Sequence, residues 1–335
     1  MARRVGYTLL LDTPPRLLGW AAVGSRMEGE GPFGPVFDLI NPDSYFGQSS
    51  FEKAESQMQK EAVGRAIQKA GSTPRQVQYL FAGDLLNQCI GSTYGLRDFG
   101  IPFVGLYGAC STMAESLAMG ALFVEAGFGD PVCAVTSSHF CSAERQFRYP
   151  LEYGSQRPPS AQWTATASGA VVVGRGGEGP VARAVTIGAI RDMGITDANN
   201  MGAAMAPAAA DTIKRFLKDT GKDAAEFDGI YTGDLGQVGS RLLLELLEKD
   251  GVSLAGRHND CGLLLYDRQK QKVDAGGSGC GCSASVLCTH LLPSLAAGRM
   301  ENILFVATGA LMSTTSVQQG ESIPGVAHLV WLSAK

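Results

Sequence analysis

Val77-Gln78-Tyr79-Leu80-Phe81-Ala82-Gly83-Asp84-Leu85 is answered, 150 positions later, by Phe227-Asp228-Gly229-Ile230-Tyr231-Thr232-Gly233-Asp234-Leu235. Each is a short apolar run that stops at Gly-Asp, the pattern of a strand ending in a polar turn. Each also follows a helix-like stretch. The first starts near Glu52, carries Ala54, Met58, Ala62 and Ile67, and stops at Gly71. The second runs from Ala208 to Thr220, carries Ile213, Phe216 and Leu217, and stops at Gly221, again 150 positions on. A glycine just past the last periodic residue is a helix stop, because it enters the left-handed region without steric cost. Further along, Tyr107-Gly108-Ala109-Cys110-Ser111 opens a helical pattern that runs into the strand-like Pro131-Val132-Cys133-Ala134-Val135-Thr136. Cys280-Gly281-Cys282-Ser283 does the same before Ile303-Leu304-Phe305-Val306-Ala307-Thr308, with Cys282 lying 172 positions after Cys110. The added length falls between about Asp250 and Gly276, where Arg257, Asp260, Asp267 and Arg268 accompany an expected hairpin.

The chain is therefore a duplication, with halves at 1–178 and 179–335. Apolar strands alternating with helical patterns predict an α/β fold whose parallel sheets are covered on both faces. A length of 335 residues suits two such units. With a net charge of −4 and 18% charged residues, there is no basic field to hold nucleic acid. The apolar run from Val5 to Leu11 is too short for a signal sequence and no long apolar stretch follows, so an intracellular protein is expected. Its eight cysteines are then reduced thiols rather than a disulfide framework. The 43 glycines, about twice the usual share, suit close packing of strands, turns and helix starts.

Chemistry in α/β folds gathers at strand ends and helix N-termini. Cys110 lies between a strand-like stretch and a helix, where the positive end of the helix dipole lowers a thiol's pKa. Asp84 ends a strand and precedes the polar Asn87 and Gln88. Of four histidines, His139 follows the strand after the Cys110 helix and can reach a central pocket; His258 falls in the added segment, where a surface role is expected; His290 lies on a buried helix and His328 near a terminal strand. No spacing makes any of them a partner of Cys110. Cys280, Cys282, Cys288 and His290 lack the paired knuckles of a zinc site, and Gly276-Gly277-Ser278-Gly279 lacks the lysine of a phosphate loop. The stretch Ser142-Ala143-Glu144-Arg145-Gln146-Phe147-Arg148-Tyr149-Pro150 reads either as a solvated lid or as a loop whose arginines grip a carboxylate.

These halves, with a cysteine starting the buried helix of the first, resemble the thiolase and ketoacyl-ACP synthase superfamily. Ala167-Ser168-Gly169-Ala170-Val171-Val172-Val173 looks like its Gly-Ala strand. The resemblance implies a five-layer αβαβα fold built from two similar halves. More narrowly, the chain resembles the stage V sporulation protein AD family of spore-forming bacteria. The likeness is carried by Ala82 to Gln88, Gly108 to Thr112, Ala143 to Pro150, Met205 to Lys214 and Gly276 to Cys280. Superfamily enzymes place His, or His and Asn, on two second-half loops facing the nucleophile. The matching turns here, Thr232 to Gln237 and Gly277 to Cys282, contain no histidine.

The resemblance thus implies a non-catalytic binding protein for dipicolinic acid (pyridine-2,6-dicarboxylate), the soluble component of the spore uptake channel. Asp84, Cys110, Ser111 and His139 are expected to line the pocket, with Arg145 or Arg148 pairing a carboxylate. It implies no cofactor, with calcium as the candidate companion of the ligand. The expected partners are the other stage V sporulation A membrane proteins and a second copy of the chain, the protein being held peripherally at the spore inner membrane. Two other readings stand beside it: a working acyltransferase using Cys110, and a scaffold of the channel that binds nothing.

Overall fold

The computed structural model describes residues 2–147, 157–254 and 256–335. Its first half contributes strands β1 (Arg16–Ser25), β2 (Leu80–Gly83), β3 (Phe103–Gly105), β4 (Val132–Ser138) and β5 (Ala167–Gly174). The second contributes β6 (Val181–Thr186), β7 (Gly229–Thr232), β8 (His258–Asp260), β9 (Asn302–Ala310) and β10 (Gly325–Ser333). Their spatial orders are β3-β2-β4-β5-β1 and β8-β7-β9-β10-β6, the same permutation twice. Directions repeat as well. β2 is parallel to β3 and β4, as β7 is to β8 and β9. β5 is antiparallel to β4 and β1, as β10 is to β9 and β6.

The sheets are mixed, which corrects the expectation of parallel ones. Strands buried on both faces read as continuous apolar runs whatever their direction, so composition does not reveal it. The added segment also differs from its reading. Instead of a hairpin it supplies β8, the edge strand of the second sheet, parallel to β7, followed by a short helical turn at Cys261–Leu264. His258 consequently lies on a strand rather than on a surface loop.

Helices form the other layers. α1 (Phe51–Lys69) starts at Ser50, whose Oγ accepts from Lys53 N at 3.3 Å. It ends before Gly71, at φ +65°. α1 lies with α2 (Ile90–Leu96) on the outer face of the first sheet, burying Ala54, Met58, Ala62 and Ile67 against strand residues such as Val135 and Val172. α5 (Met201–Thr220) and α6 (Gly236–Lys249) cover the outer face of the second. Between the sheets lie α3 (Thr112–Ala126) and α7 (Cys280–Val286), which continues through a π turn at Leu287–Leu291. A helix apolar all round belongs in such a middle layer: Met113, Leu117, Ala121 and Val124 of α3 share one core with Val286, Leu287, Leu291 and Leu295. The five layers are therefore αβαβα.

α5 begins seven residues before its expected start and runs through Pro207. Pro207 loses the bond to the carbonyl four residues back and crowds that carbonyl, but the surrounding Ala204, Met205, Ala206, Ala208 and Ala209 are buried in one core, which holds the turn in place. The N-terminal hairpin, Arg3–Val5 with Thr8–Leu10, joins the second sheet, because Thr8–Leu10 pairs antiparallel with β6. Apart from that hairpin, the two sheets meet, among the described residues, in a single pairing, Val181 of β6 opposite Arg16 of β1.

Candidate functional site

Cys110 sits in a tight turn just ahead of α3. Ala109 takes φ +50°, a strained value for a residue with a Cβ. Two short bonds hold the turn, Ser111 Oγ donating to Gly108 O and Thr112 Oγ1 to Ala109 O, both at 2.6 Å. Gly309 of β9 lets the second half approach: a Cβ there would lie 2.3 Å from Gly108 O. The sulfur is thereby pressed against the boundary between the halves.

Above it opens a cavity of about 780 Å³. The first half supplies Asp84, Asn87, Gln88, Tyr107 and Cys110, and the second Ser278, Met312 and Ser313. Among the described residues, its polar lining is Asp84 together with hydroxyls, amides and the thiol; no Lys, Arg or His takes part. Cys110, 5% exposed, forms part of the floor.

The partner of the thiol is Asp234, the repeat mate of Asp84. Its carboxylate accepts from Gly279 N at 2.8 Å, Thr308 Oγ1 at 3.0 Å and Ser278 Oγ at 3.2 Å, and the Cys110 thiol faces it. Burial pushes the Asp234 carboxyl up to about 6. Burial first, and then the Asp234 charge, push the Cys110 thiol well above the ordinary cysteine range. This reverses the expectation from the helix dipole. A dipole worth about 1 kcal/mol does not offset full desolvation beside a carboxylate. The two turns that the resemblance placed opposite the cysteine do converge on it. They bring a carboxylate and a backbone amide, where an acyl-transfer site needs a base and an oxyanion donor.

The other expected pocket residues are dispersed. His139 is buried with Nε2 2.8 Å from Ser44 O and its ring 5.2 Å from Phe51, and burial lowers its pKa. It does not line the cavity. Ser111 is buried with its hydroxyl committed to Gly108 O. Arg145 on α4 (Phe140–Phe147) is half exposed and paired with Glu52 rather than facing the cavity. Arg148 lies outside the described residues. His258 and His328 are pushed down to about 4 by burial, and His290 stacks on Phe33 at 5.1 Å.

Asp84 is where the sequence placed it, in the cavity wall, and its oxygens are already engaged. Oδ1 accepts from Leu86 N at 2.9 Å; Oδ2 accepts from Ser92 N and Ser92 Oγ, both at 2.7 Å. A carboxylate surrounded by donors does not present the open oxygens that calcium takes from protein. Among the described residues no three His, Cys, Asp or Glu side chains converge in a metal-binding arrangement. The fit to calcium as a protein-held ion is therefore poor.

The sequence did not single out Glu55 behind Asp84, the lining residue Tyr107, or Asp234 as the thiol's partner. Only Asp234 left a signal, its place in the repeat.

The profile of the family described as Stage V sporulation protein AD (SpoVAD) matches residues 6–333. The stage V sporulation protein AD of Bacillus subtilis strain 168 is 46% identical over 301 residues, covering 90% of this chain and 89% of that protein. Among solved structures, a single-residue variant of Xanthomonas campestris OleA aligns with a TM-score of 0.61 at 14% identity, over 96% of this chain and 99% of that one. The 3-oxoacyl-[acyl-carrier-protein] synthase III of Aquifex aeolicus VF5 aligns with a TM-score of 0.57 at 11% identity, over 95% and 99%. At such identities the structural likeness is one of fold.

Proposed function

The chain belongs to the stage V sporulation protein AD family, and from that premise we propose that it is a non-catalytic binding protein for dipicolinic acid, serving dipicolinate uptake during sporulation. The observation that carries the reading is the Cys110–Asp234 pair. A buried thiol facing a buried carboxylate stays protonated, and a protonated thiol is a poor nucleophile. What remains is a cavity between the two halves, of a volume usual for small-molecule sites. Tyr107, Asn87 and Gln88 offer neutral donors to a planar, carboxylate-bearing ring. Calcium enters this reading as cargo, chelated by the ligand's own carboxylates and nitrogen rather than by the protein.

Titration of the purified protein with dipicolinate, with and without calcium, tests the reading alongside intact mass after incubation with acetyl-CoA. Saturable binding with no mass change is expected. An acyl adduct on Cys110 without dipicolinate binding would restore the enzyme.

For partners, we propose a homodimer formed through the edge of β3, which no strand covers among the described residues. Phe103 and Tyr107 there are 41% and 62% exposed, and an uncovered strand edge invites pairing. Light scattering on a sizing column is expected to give twice the chain mass, and Phe103→Asp a monomer. No helix among the described residues is long and apolar enough to cross a membrane. Peripheral attachment to the membrane subunits of the uptake channel is therefore part of the proposal.

A further inference from the structure

Behind the cavity wall, Asp84 meets a second buried acid. A Cβ on Gly91 of α2 would lie 3.1 Å from Asp84 Oδ2 and 3.4 Å from Glu55 Cδ, so the two carboxyls pack side by side over a bare glycine. Glu55 is fully buried on α1 and accepts from Ser137 Oγ of β4 at 3.0 Å and Ser142 Oγ of α4 at 2.9 Å. Among the described residues, no cation is a partner of either carboxyl. Two adjacent buried carboxylates without a counter-ion do not both stay ionised.

A second observation points the same way. Gln59, one turn after Glu55, is fully buried, and its Nε2 donates to Gly83 O at 3.3 Å, Ser92 Oγ at 3.0 Å and Ser137 Oγ at 3.1 Å. The Gly83 carbonyl can only accept, which fixes the amide's orientation. Gln59 Oε1 is then left buried with no donor. Glu55 and Gln59 converge on the same Ser137 hydroxyl, so the orphaned amide oxygen and the acid pair belong to one buried polar cluster.

We propose that Glu55 and Asp84 form one proton-binding site behind the cavity, with one proton resident in the ligand-free protein, and that an anion binding beside Asp84 draws a second proton from solvent. The inference rests on the ligand reading above and deepens it by naming what balances the ligand's charge. Desolvation and the neighbouring Asp84 push Glu55 up to about 8, in keeping with the resident proton. Among the described residues, the other titratable groups facing the pair are Cys89 and Tyr107 beside the cavity and Cys280 from α7. All three are pushed upward and stay neutral near pH 7. Glu52 and Arg145, on α1 and α4, neutralise each other at the surface.

Calorimetric titration with dipicolinate near pH 7, in two buffers of different ionisation enthalpy, reads the second proton. Uptake approaching one proton per ligand is expected, with affinity rising by up to about tenfold for each unit of pH decrease. Calcium, which makes the chelate neutral, is expected to abolish the uptake, and Asp84→Asn to flatten the pH dependence. Infrared difference spectra of the ligand-free wild type against Glu55→Gln read the resident proton and need no ligand. A protonated-carboxyl band lost in the variant is expected, and its absence overturns the resident proton. Binding without buffer-dependent heat overturns the uptake. An absence of binding in both buffers overturns the ligand reading itself, with the infrared result still deciding the resident proton.

Discussion

Replacing Asp234 by asparagine removes the charge that faces Cys110 while keeping the side chain's size. The thiol pKa is held up by burial first and by Asp234 second, so part of the upward shift should be relieved. Alkylation of Cys110 by iodoacetamide, followed by mass spectrometry at about pH 8.5, is expected to be more than about tenfold slower than a free cysteine in the wild type and several-fold faster in Asp234→Asn. The sequence already marked Asp234 as the repeat of Asp84. It did not mark the place of Asp234 beside Cys110, because that approach depends on how two halves dock rather than on any local pattern. Glu55 was less visible still. It sits beside the apolar positions of α1, where a glutamate ordinarily faces water, and the packing of α2, α4 and β4 encloses it.

Among the elements, β9 and the Cys110 turn depend on one bare backbone position. Gly309→Ala would set a methyl 2.3 Å from Gly108 O, a backbone atom that cannot swing aside. A loss of about 1 to 3 kcal/mol in chemical denaturation is expected, with dipicolinate affinity falling further than that of a comparably destabilised control. Met58→Ala on α1 is such a control. It leaves a hole in the outer core, at an expected cost of about 2 to 5 kcal/mol, away from the cavity. Helices and parallel strands of the repeat were legible from apolar spacing and helix stops. Strand direction was not, since β5 and β10 are buried on both faces in either orientation. β1 was not singled out either, and β8 hides in a segment whose charges resemble a loop.

For the molecule as a whole, buried acids set the response to alkali. Glu55 is raised to about 8, Asp260 to about 7 and Asp234 to about 6, chiefly by burial. A carboxyl whose folded pKa exceeds its unfolded one adds stability below the unfolded value and loses it as pH rises through the folded one. These groups therefore lower stability as pH rises from about 4 to about 8. Thermal unfolding is expected to show a Tm that falls between about pH 6.5 and 8.5, and Glu55→Gln a shallower fall. The duplication was legible from two constant offsets, and the layer order came with the resemblance. The three cores, one between the sheets and one on each outer face, follow from it.

The N-terminal hairpin has a mechanical role that its size conceals. Its turn is held by a single carboxylate on α5: Asp219 Oδ2 accepts from Tyr7 N at 2.7 Å and from Thr8 N and Thr8 Oγ1 at 3.1 Å. The strand that follows runs along β6 before the chain enters β1, so the first dozen residues pin the start of the first half onto the second sheet. Removing them leaves the shared middle core and the Val181–Arg16 pairing as the ties between two bodies of like topology. In a calorimeter, the shortened chain is expected to melt in two resolved endotherms where the full chain shows one, turning a cooperative unit back into the pair of modules from which it was duplicated.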